Sequence, residues 1–501
     1  MQAICKSSAS FSWERSLYES LRMKILTAEQ MREVDRRTIE DGVPSIALME
    51  NAAHRVVEEM VREFDPIDRQ SIVILVGKGN NGGDGLAIAR LLHEYNVGRM
   101  RVVLAADPSE FTGDAADNLK RIVELGIHPV FDVPAKLRER REVNVVVDAL
   151  LGTGLKGPPT GRTAELIRAT REFPQARIVA VDLPSGLGGG GDCVRADITV
   201  TFTAPKVEHY LAPGAEEHVG RLVVTQIGSP PWLIPGGLEV SSPDDFRHLF
   251  RPRKRESNKG DFGHVLVVGG APGKSGAAAM AGLAALRAGA GLVTVACSDS
   301  SRLAPELMSE SLDNFSLERM TVLAVGPGLG DRRDLAPKLM QEATVPMVID
   351  ADGLNAIAGT DFRGRGVETV LTPHPGEMAR LLGVERVSES DRLKVARAFA
   401  QERNVCLVLK GYRTLIALPD GNVWINTTGS PAMATGGTGD ILTGMISGMI
   451  AQFPSQIDTA VRAAVWLHGR AGYLGAQELT EQCLIATDLL HYLPKAIKEV
   501  A

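Results

Sequence analysis

Two glycine-rich segments, each carrying an acid and each opening an apolar, helix-periodic run, stand far apart in the chain: VGKGNNGGDGLAIARLL at 76–92 and ATGGTGDILTGMISGMI at 434–450. A glycine turn lets backbone N–H groups approach an anion, and the helix N-terminus adds partial positive charge there. Two such turns in unlike contexts point to two domains that handle nucleotides or phosphates. In the first half, Asp148, Asp182 and Lys206 fall at the ends of strand-like runs. A carboxylate buried there costs several kcal/mol unless a cation or ligand meets it, and Lys206 is able to pair with either acid. Asn81, Asp148 and Ser185 offer oxygen ligands alone, which suits a hard cation rather than zinc. In the second half, Asp440 follows GGTG and is placed to act as a general base beside backbone donors. Lys410, Gly411 and Thr414 form a phosphate-contact set, and His374 and Glu377 follow a strand in TPHPGE.

These groups need a scaffold, and the hydrophobic pattern supplies one. Residues 27–65 read as helical, with Met31, Val34 and Ile39 and then Ile46 to Met60 at three- and four-residue steps. Apolar, β-branched runs follow at 71–77, 100–106, 143–151, 177–184 and 197–205, alternating with amphipathic stretches. That pattern predicts a parallel sheet covered on both faces, with its crevice at the carboxyl ends of the strands. A Pro- and Gly-rich linker is expected over 228–257. A second α/β pattern begins at HVLVVGG (264–270), and its small-residue helix at 275–291 permits close packing. No repeat of the first half is visible in the second.

At 501 residues the chain exceeds what a single core usually spans. A net charge of −6 gives no electrostatic footprint for nucleic acid or an acidic membrane, and Arg251–Arg255 reads as a solvated basic run. The five cysteines are scattered without a C-x-x-C pair, which suggests a reducing, cytoplasmic setting. No apolar stretch reaches the roughly 18–20 residues that a membrane span needs. Residues 1–22 hold no long apolar core, and Met23 opens a cleaner start, so 1–23 are expected to be an N-terminal extension.

The motifs KGNNGGDGLAIARLL, VVDALLGTGLKGPPTG, AVDLPSG and TFTAPK, in that order over about residues 24–230, resemble the YjeF N-terminal domain, the NAD(P)H-hydrate epimerase family. The resemblance implies a substrate cleft lined by Asn80, Asn81, Gly82, Gly83, Asp84, by Gly152, Thr153, Gly154, Leu155, Lys156, Gly157, Pro158, and by Asp182. It also implies a potassium ion on Asn81, Asp148 and Ser185, with Asp182 as catalytic acid/base and Lys206 as its electrostatic partner. One departure is the glycine-rich run at 188–192. The motifs NKGDFGHVLVVGGAPGKSGAA, VGPGLG, VIDADGLN, LTPHPGE, KG-x-x-T and GGTGDILTG, over about 240–495, resemble the ribokinase-like superfamily. Within it they are most similar to ADP/ATP-dependent NAD(P)H-hydrate dehydratases. That resemblance assigns Ala277, Gly328, His374 and Asp440 to the hydrated dinucleotide. Lys410, Gly411, Tyr412, Arg413, Thr414 and Gly439 go to ADP or ATP, which would arrive with Mg2+, and Asp440 is the expected catalytic base.

The implied fold is α/β in two domains: a Rossmann-like three-layer sandwich at 24–235 and a ribokinase-like domain at 236–501. The implied activity is repair of NADHX and NADPHX, by epimerising the R and S hydrates and dehydrating the S form. A homo-oligomer is expected, with no nucleic-acid or membrane partner. The rival reading is a vitamin-type small-molecule kinase fused to a non-catalytic binding module.

Overall fold

Valine and isoleucine dominate the first-half strands because both faces of their sheet are covered. Alternate residues of β1 (Ser71–Val76) enter different cores: Ile72, Ile74 and Val76 on one face, Val73 and Leu75 on the other. The computed structural model describes residues 24–131, 143–364 and 368–501, so the expected extension over 1–23 lies outside the described residues. β2 (Arg99–Leu104), β3 (Val145–Ala149), β4 (Arg177–Val181), β5 (Ile198–Phe202) and β6 (Arg221–Thr225) complete an all-parallel sheet of order β2-β1-β3-β4-β5-β6. The chain reverses direction across the sheet between β1 and β3, and ligands of open α/β sheets bind at such a switch point. The helical stretch expected over 27–65 is two helices, Ala28–Glu40 and Ser45–Glu63. They are separated by a turn in which Gly42 takes φ +102° and Pro44 precedes the second helix.

The second unit is organised in the same manner around a different order. Its strands are β7 (Leu238–Val240), β8 (His264–Val268), β9 (Leu292–Cys297), β10 (Met308–Ser311), β11 (Val322–Val325), β12 (Met347–Ile349), β13 (Thr369–Leu371), β14 (Cys406–Leu409), β15 (Leu415–Ala417) and β16 (Val423–Ile425). They run β10-β9-β8-β11-β12-β13-β14-β15-β16-β7, with the switch between β8 and β11. The helix Ser275–Arg287 packs on the helix Thr438–Gln452 at backbone contact: a Cβ on Gly444 would collide with Ala281 O, and one on Gly448 with Ala285 O. The run of small residues therefore serves helix packing.

The chain divides into two compact units at Gly236 and Gly237. The linker expected over 228–257 is largely structured, since β7 lies inside it and pairs with β16. β6, β7, β10 and β16 escaped the sequence reading because three to five residues at or next to a sheet edge carry too little periodicity to register.

Candidate active sites

β4 stops at Val181 because Asp182 turns into the left-handed region, φ +63°, which costs a non-glycine residue roughly 1–2 kcal/mol. The turn brings its carboxylate to Lys206, from the loop after β5. Lys206 is fully buried, and its ammonium donates to Asp182 Oδ1 (2.5 Å), Thr201 Oγ1 (2.8 Å) and Phe202 O (3.0 Å). All three N–H groups are thereby used, so Lys206 acts through Asp182 rather than on a ligand. Thr201 donates its own hydroxyl to Asp182 Oδ1 (2.9 Å), which leaves Oδ2 as the oxygen open to the cavity. Of the two acids within sequence reach, Lys206 pairs with Asp182. Burial pushes Asp182 up, but the Lys206 charge and hydrogen bond, with His209 and Thr201, hold it below its ordinary value. His209 Nδ1 accepts the Lys206 N–H (2.9 Å), so its proton sits on Nε2 and is donated to Asp182 O (2.8 Å). Burial, then Lys206, lowers this histidine to about 4, so it stays neutral.

A cavity of about 660 Å³ opens over this pair. Of the expected cleft residues, Asn80, Asn81, Asp84, Gly152, Thr153, Gly154, Leu155, Asp182 and Lys206 line it. The segment read as a glycine turn is already helix: Gly79 is the N-cap and Asn80–Glu94 the helix, so Gly82 and Gly83 lie within its first two turns. Their role is close approach, since a Cβ on Gly82 would collide with Gly77 O. Lys156, Gly157 and Pro158 are not among the lining residues. Gly157 and Pro158 lie instead against the glycine-rich run at 188–192, where a Cβ on Gly189 would sit 2.8 Å from Gly157 O and 2.7 Å from Leu155 Cδ2, and one on Gly191 3.0 Å from Pro158 Cβ. The departure noted in the sequence thus seats the Leu155–Pro158 loop, and Arg168 and Arg171 pin Asp192 at its end.

Asp148 on β3 is fully buried and accepts from Ser185 N (2.8 Å), Ser185 Oγ (2.6 Å) and Leu150 N (3.3 Å). Burial outweighs these bonds and pushes it up to about 6, with no cationic side chain opposing. Asn81 is buried beside Gly152, and its Nδ2 has no partner. One carboxylate, one hydroxyl and one amide oxygen fit a monovalent hard cation. No cluster of three or more His, Cys, Asp or Glu able to hold a metal occurs among the described residues.

In the second unit, four strand-end loops converge. Lys410, after β14, donates to Asp350 Oδ1 after β12 (2.7 Å) and lies 3.8 Å from Glu377 Oε2 after β13. Thr443 from the helix Thr438–Gln452 donates to Asp350 Oδ2 (2.8 Å). Gly439, at the start of that helix, has room for a Cβ no closer than 3.3 Å to Lys410 Nζ, so it faces the pair. Asp440 lies in the same first turn. Burial, then Asp350, raises it to about 6 against the pull of Lys410, with Asp352 and Glu377 adding to the rise. His374 is the N-cap of the helix Pro375–Leu382: its Nδ1 accepts from Gly376 N (3.0 Å) and Glu377 N (3.4 Å), and its Nε2 lies 3.4 Å from Glu377 Oε1. Gly328 takes φ +61° and presses on Lys274 O and Ala277. Gly411, Tyr412, Arg413 and Thr414 form a turn held by Arg392 on Tyr412 O (2.7 Å) and by Arg413 on Thr427 O (2.9 Å). Four carboxylates (Asp350, Asp352, Glu377, Asp440) against two lysines (Lys274, Lys410) leave negative charge that a divalent cation arriving with phosphates would fit.

Sequence reasoning passed over Asp350 and Thr443, although Asp350 directly follows a strand in DADGLN. It also passed over Asp35, Thr201 and His209. The signal for Asp35 was its place four residues after Met31, on the apolar stripe of an otherwise charged helix.

The family models define the class. Residues 45–208 match the YjeF-related protein N-terminus, and residues 265–495 match NAD(P)H-hydrate dehydratase. A bifunctional NAD(P)H-hydrate repair enzyme of Moorella thermoacetica is 40% identical, covering 95% of this chain and 97% of its own. One from Coxiella burnetii is 36% identical, covering 93% and 97%. The chain belongs to the family of bifunctional NAD(P)H-hydrate repair enzymes. Among solved structures, an ADP/ATP-dependent NAD(P)H-hydrate dehydratase from Bacillus subtilis, co-crystallized with ATP/Mg2+, is 33% identical. It covers 52% of this chain and 98% of its own, with a TM-score of 0.49.

Proposed function

We propose that this chain repairs hydrated nicotinamide cofactors, with residues 24–236 interconverting the R and S hydrates of NADH and NADPH and residues 237–501 dehydrating the S form at the expense of ADP or ATP. One observation carries the reading: full-length likeness to bifunctional repair enzymes coincides with a charged acid–base pair in the first unit and an acid at a helix N-terminus in the second. It also disfavours the kinase-plus-binding-module alternative.

Epimerisation requires a proton to move on and off the hydroxyl at C6 of the ring. Asp182 Oδ2 is the group for it, ionised through Lys206 and open to the cavity. Potassium on Asn81, Asp148 and Ser185 would neutralise the buried carboxylate and fix the loops that carry it. Dehydration must turn a poor leaving group into a good one, and a phosphoryl transfer does so. Asp440, raised to about 6, is matched to a general base near neutral pH and accepts the hydroxyl proton. Lys410 and the first turn of the helix Thr438–Gln452 hold phosphoryl oxygens. Mg2+ bound with the nucleotide would offset phosphate charge. Elimination then restores the reduced ring. A cytoplasmic setting and a homo-oligomer complete the reading.

The test is incubation with separated R and S hydrates, with and without ADP or ATP, while following recovery of reduced-nicotinamide absorbance. Recovery from both epimers with nucleotide, and from neither without it, is expected. A stable phosphorylated product with no recovery would make the second unit an ordinary kinase.

A further inference from the structure

The first unit contains an inward-facing carboxylate that neither folding nor the pair Asp182–Lys206 explains. On the helix Ala28–Glu40, Glu33 and Arg36 form an ion pair in solvent, whereas Asp35 lies beside the buried Val34 and lines the cavity. Its Oδ1 is buried without any hydrogen-bond partner. A buried carboxylate oxygen without a donor is among the least stable arrangements a fold retains, and where one persists it calls for an explanation.

We propose that Asp35 is a second catalytic residue of epimerisation, the proton-bearing partner of Asp182 across the same cavity. The proposal rests on the epimerase reading given above. Facing Asp35 are Asp84 from the helix Asn80–Glu94, Asp182 after β4, Lys206 after β5, and Arg32 from its own helix. The Lys206 ammonium is saturated, with its bond to Asp182, so it leaves Asp35 and Asp84 without a bonded cation. Burial raises Asp35 to about 6, with Lys206 opposing and Asp182 adding. Asp84, which meets the cavity, is pushed well above its ordinary value by burial, Asp182 and Asp35, against the pull of Lys206. Asp182 is held ionised, and Asp35 is able to gain and lose a proton near neutrality. Two carboxyl groups whose environments drive them apart make an acid and a base.

The step balances as follows. Asp35 donates its proton to the C6 hydroxyl, the C6–O bond breaks, and water leaves as the ring-nitrogen lone pair forms C6=N. Water then adds from the opposite face, the new C6–O bond forms, and the proton released goes to Asp182. Exchange with solvent returns the proton to Asp35, and the reverse reaction runs the same exchange backwards.

The full chain and its Asp35→Asn variant are compared on the purified R hydrate without nucleotide, from pH 5 to 8.5, after subtracting the enzyme-free rate. The native chain should lose epimerisation as pH rises through about 6, where Asp35 gives up its proton. In Asp35→Asn, kcat at pH 6 should fall by at least about tenfold, toward the 10²–10⁴ range of general acids. KM should stay within about threefold on the same reasoning. The falling limb should vanish, and Asp35→Glu should restore part of the rate and the limb. Nucleotide-dependent dehydration of the S hydrate should be unchanged. The variant should also melt higher than the native chain at pH 7.5, because it removes a carboxylate that burial disfavours. A retained limb, a raised KM with kcat intact, or a lower melting temperature would each overturn the proposal. A native chain that fails to epimerise at all would instead remove the reading on which it stands.

Discussion

Replacing Lys206 with methionine keeps most of the buried volume and deletes the ammonium. In the native chain, the pull of Lys206 outweighs burial and holds Asp182 below 3.8. Asp148, equally buried but with no ammonium bonded to it, stands at about 6. Asp182 in the variant should rise, as burial raises Asp148, which disfavours its charged form. Breaking a buried pair by removing one partner typically costs about 3–5 kcal/mol. Thr201 Oγ1 and Phe202 O also lose a donor, so about 3 kcal/mol is a floor. For a unit of roughly 200 residues, each kcal/mol moves the melting temperature by about 2–4 °C. The first-unit transition should therefore drop by about 6–12 °C at pH 7.5. The sign with pH is specific. The depressed native carboxylate contributes stability above its unfolded value near 4, and loses it as pH falls through the folded value. The raised carboxylate of the variant costs nothing below about 4, and its penalty grows as pH rises through its folded value. Calorimetry at pH 5.0 and 7.5 should thus show a smaller deficit at the lower pH, and the rising limb of epimerisation should move to higher pH. Equal deficits at both pH values, with the limb unmoved, would refute the claim that Lys206 sets the charge of Asp182.

Asp440→Asn should cut dehydration by about 10²–10⁴-fold while epimerisation continues. Retention of more than about a tenth of the rate would show that Asp440 is not the base. Gly444→Ala should lower the melting temperature of the second unit, since the added methyl meets Ala281 O and costs about 1–3 kcal/mol; an unchanged transition would disprove the backbone contact. Potassium should raise the first-unit melting temperature more at pH 7.5 than at pH 5.0, because Asp148 must be ionised to hold it and its folded value is about 6. Equal stabilisation by potassium and by a bulky organic cation would exclude a site on Asn81, Asp148 and Ser185.

The long strands and the two glycine-rich helix starts were legible because burial on both faces writes continuous Val and Ile runs, and those runs place the chemistry at their carboxyl ends. Asp182, Lys206 and Lys410 were found by that rule. β6, β7, β10 and β16 were not, being too short for a pattern, and the linker was overread because proline and glycine around 230–237 precede a strand that belongs to the second sheet. Asp35 stayed hidden for a different reason. Four residues after Met31 and next to Val34, it falls on the apolar stripe by helical spacing, but on a helix bearing charges at almost every turn that signal was passed over.

The backbone contact between the helices Ser275–Arg287 and Thr438–Gln452 makes the second helix a datum for the site. Asp440 is four residues from Gly444 and eight from Gly448, about 6 and 12 Å along the axis. At Gly444 and Gly448, seated on main-chain oxygens, no long side chain stands between the backbones to absorb a shift by changing rotamer. Any displacement at either glycine is passed on as rigid translation to the first turn, where Gly439, Asp440 and the phosphate-facing N–H groups sit. Positions one and two turns from the chemistry therefore carry the tolerance of the reaction itself, and volume added there misaligns the site as well as destabilising the fold.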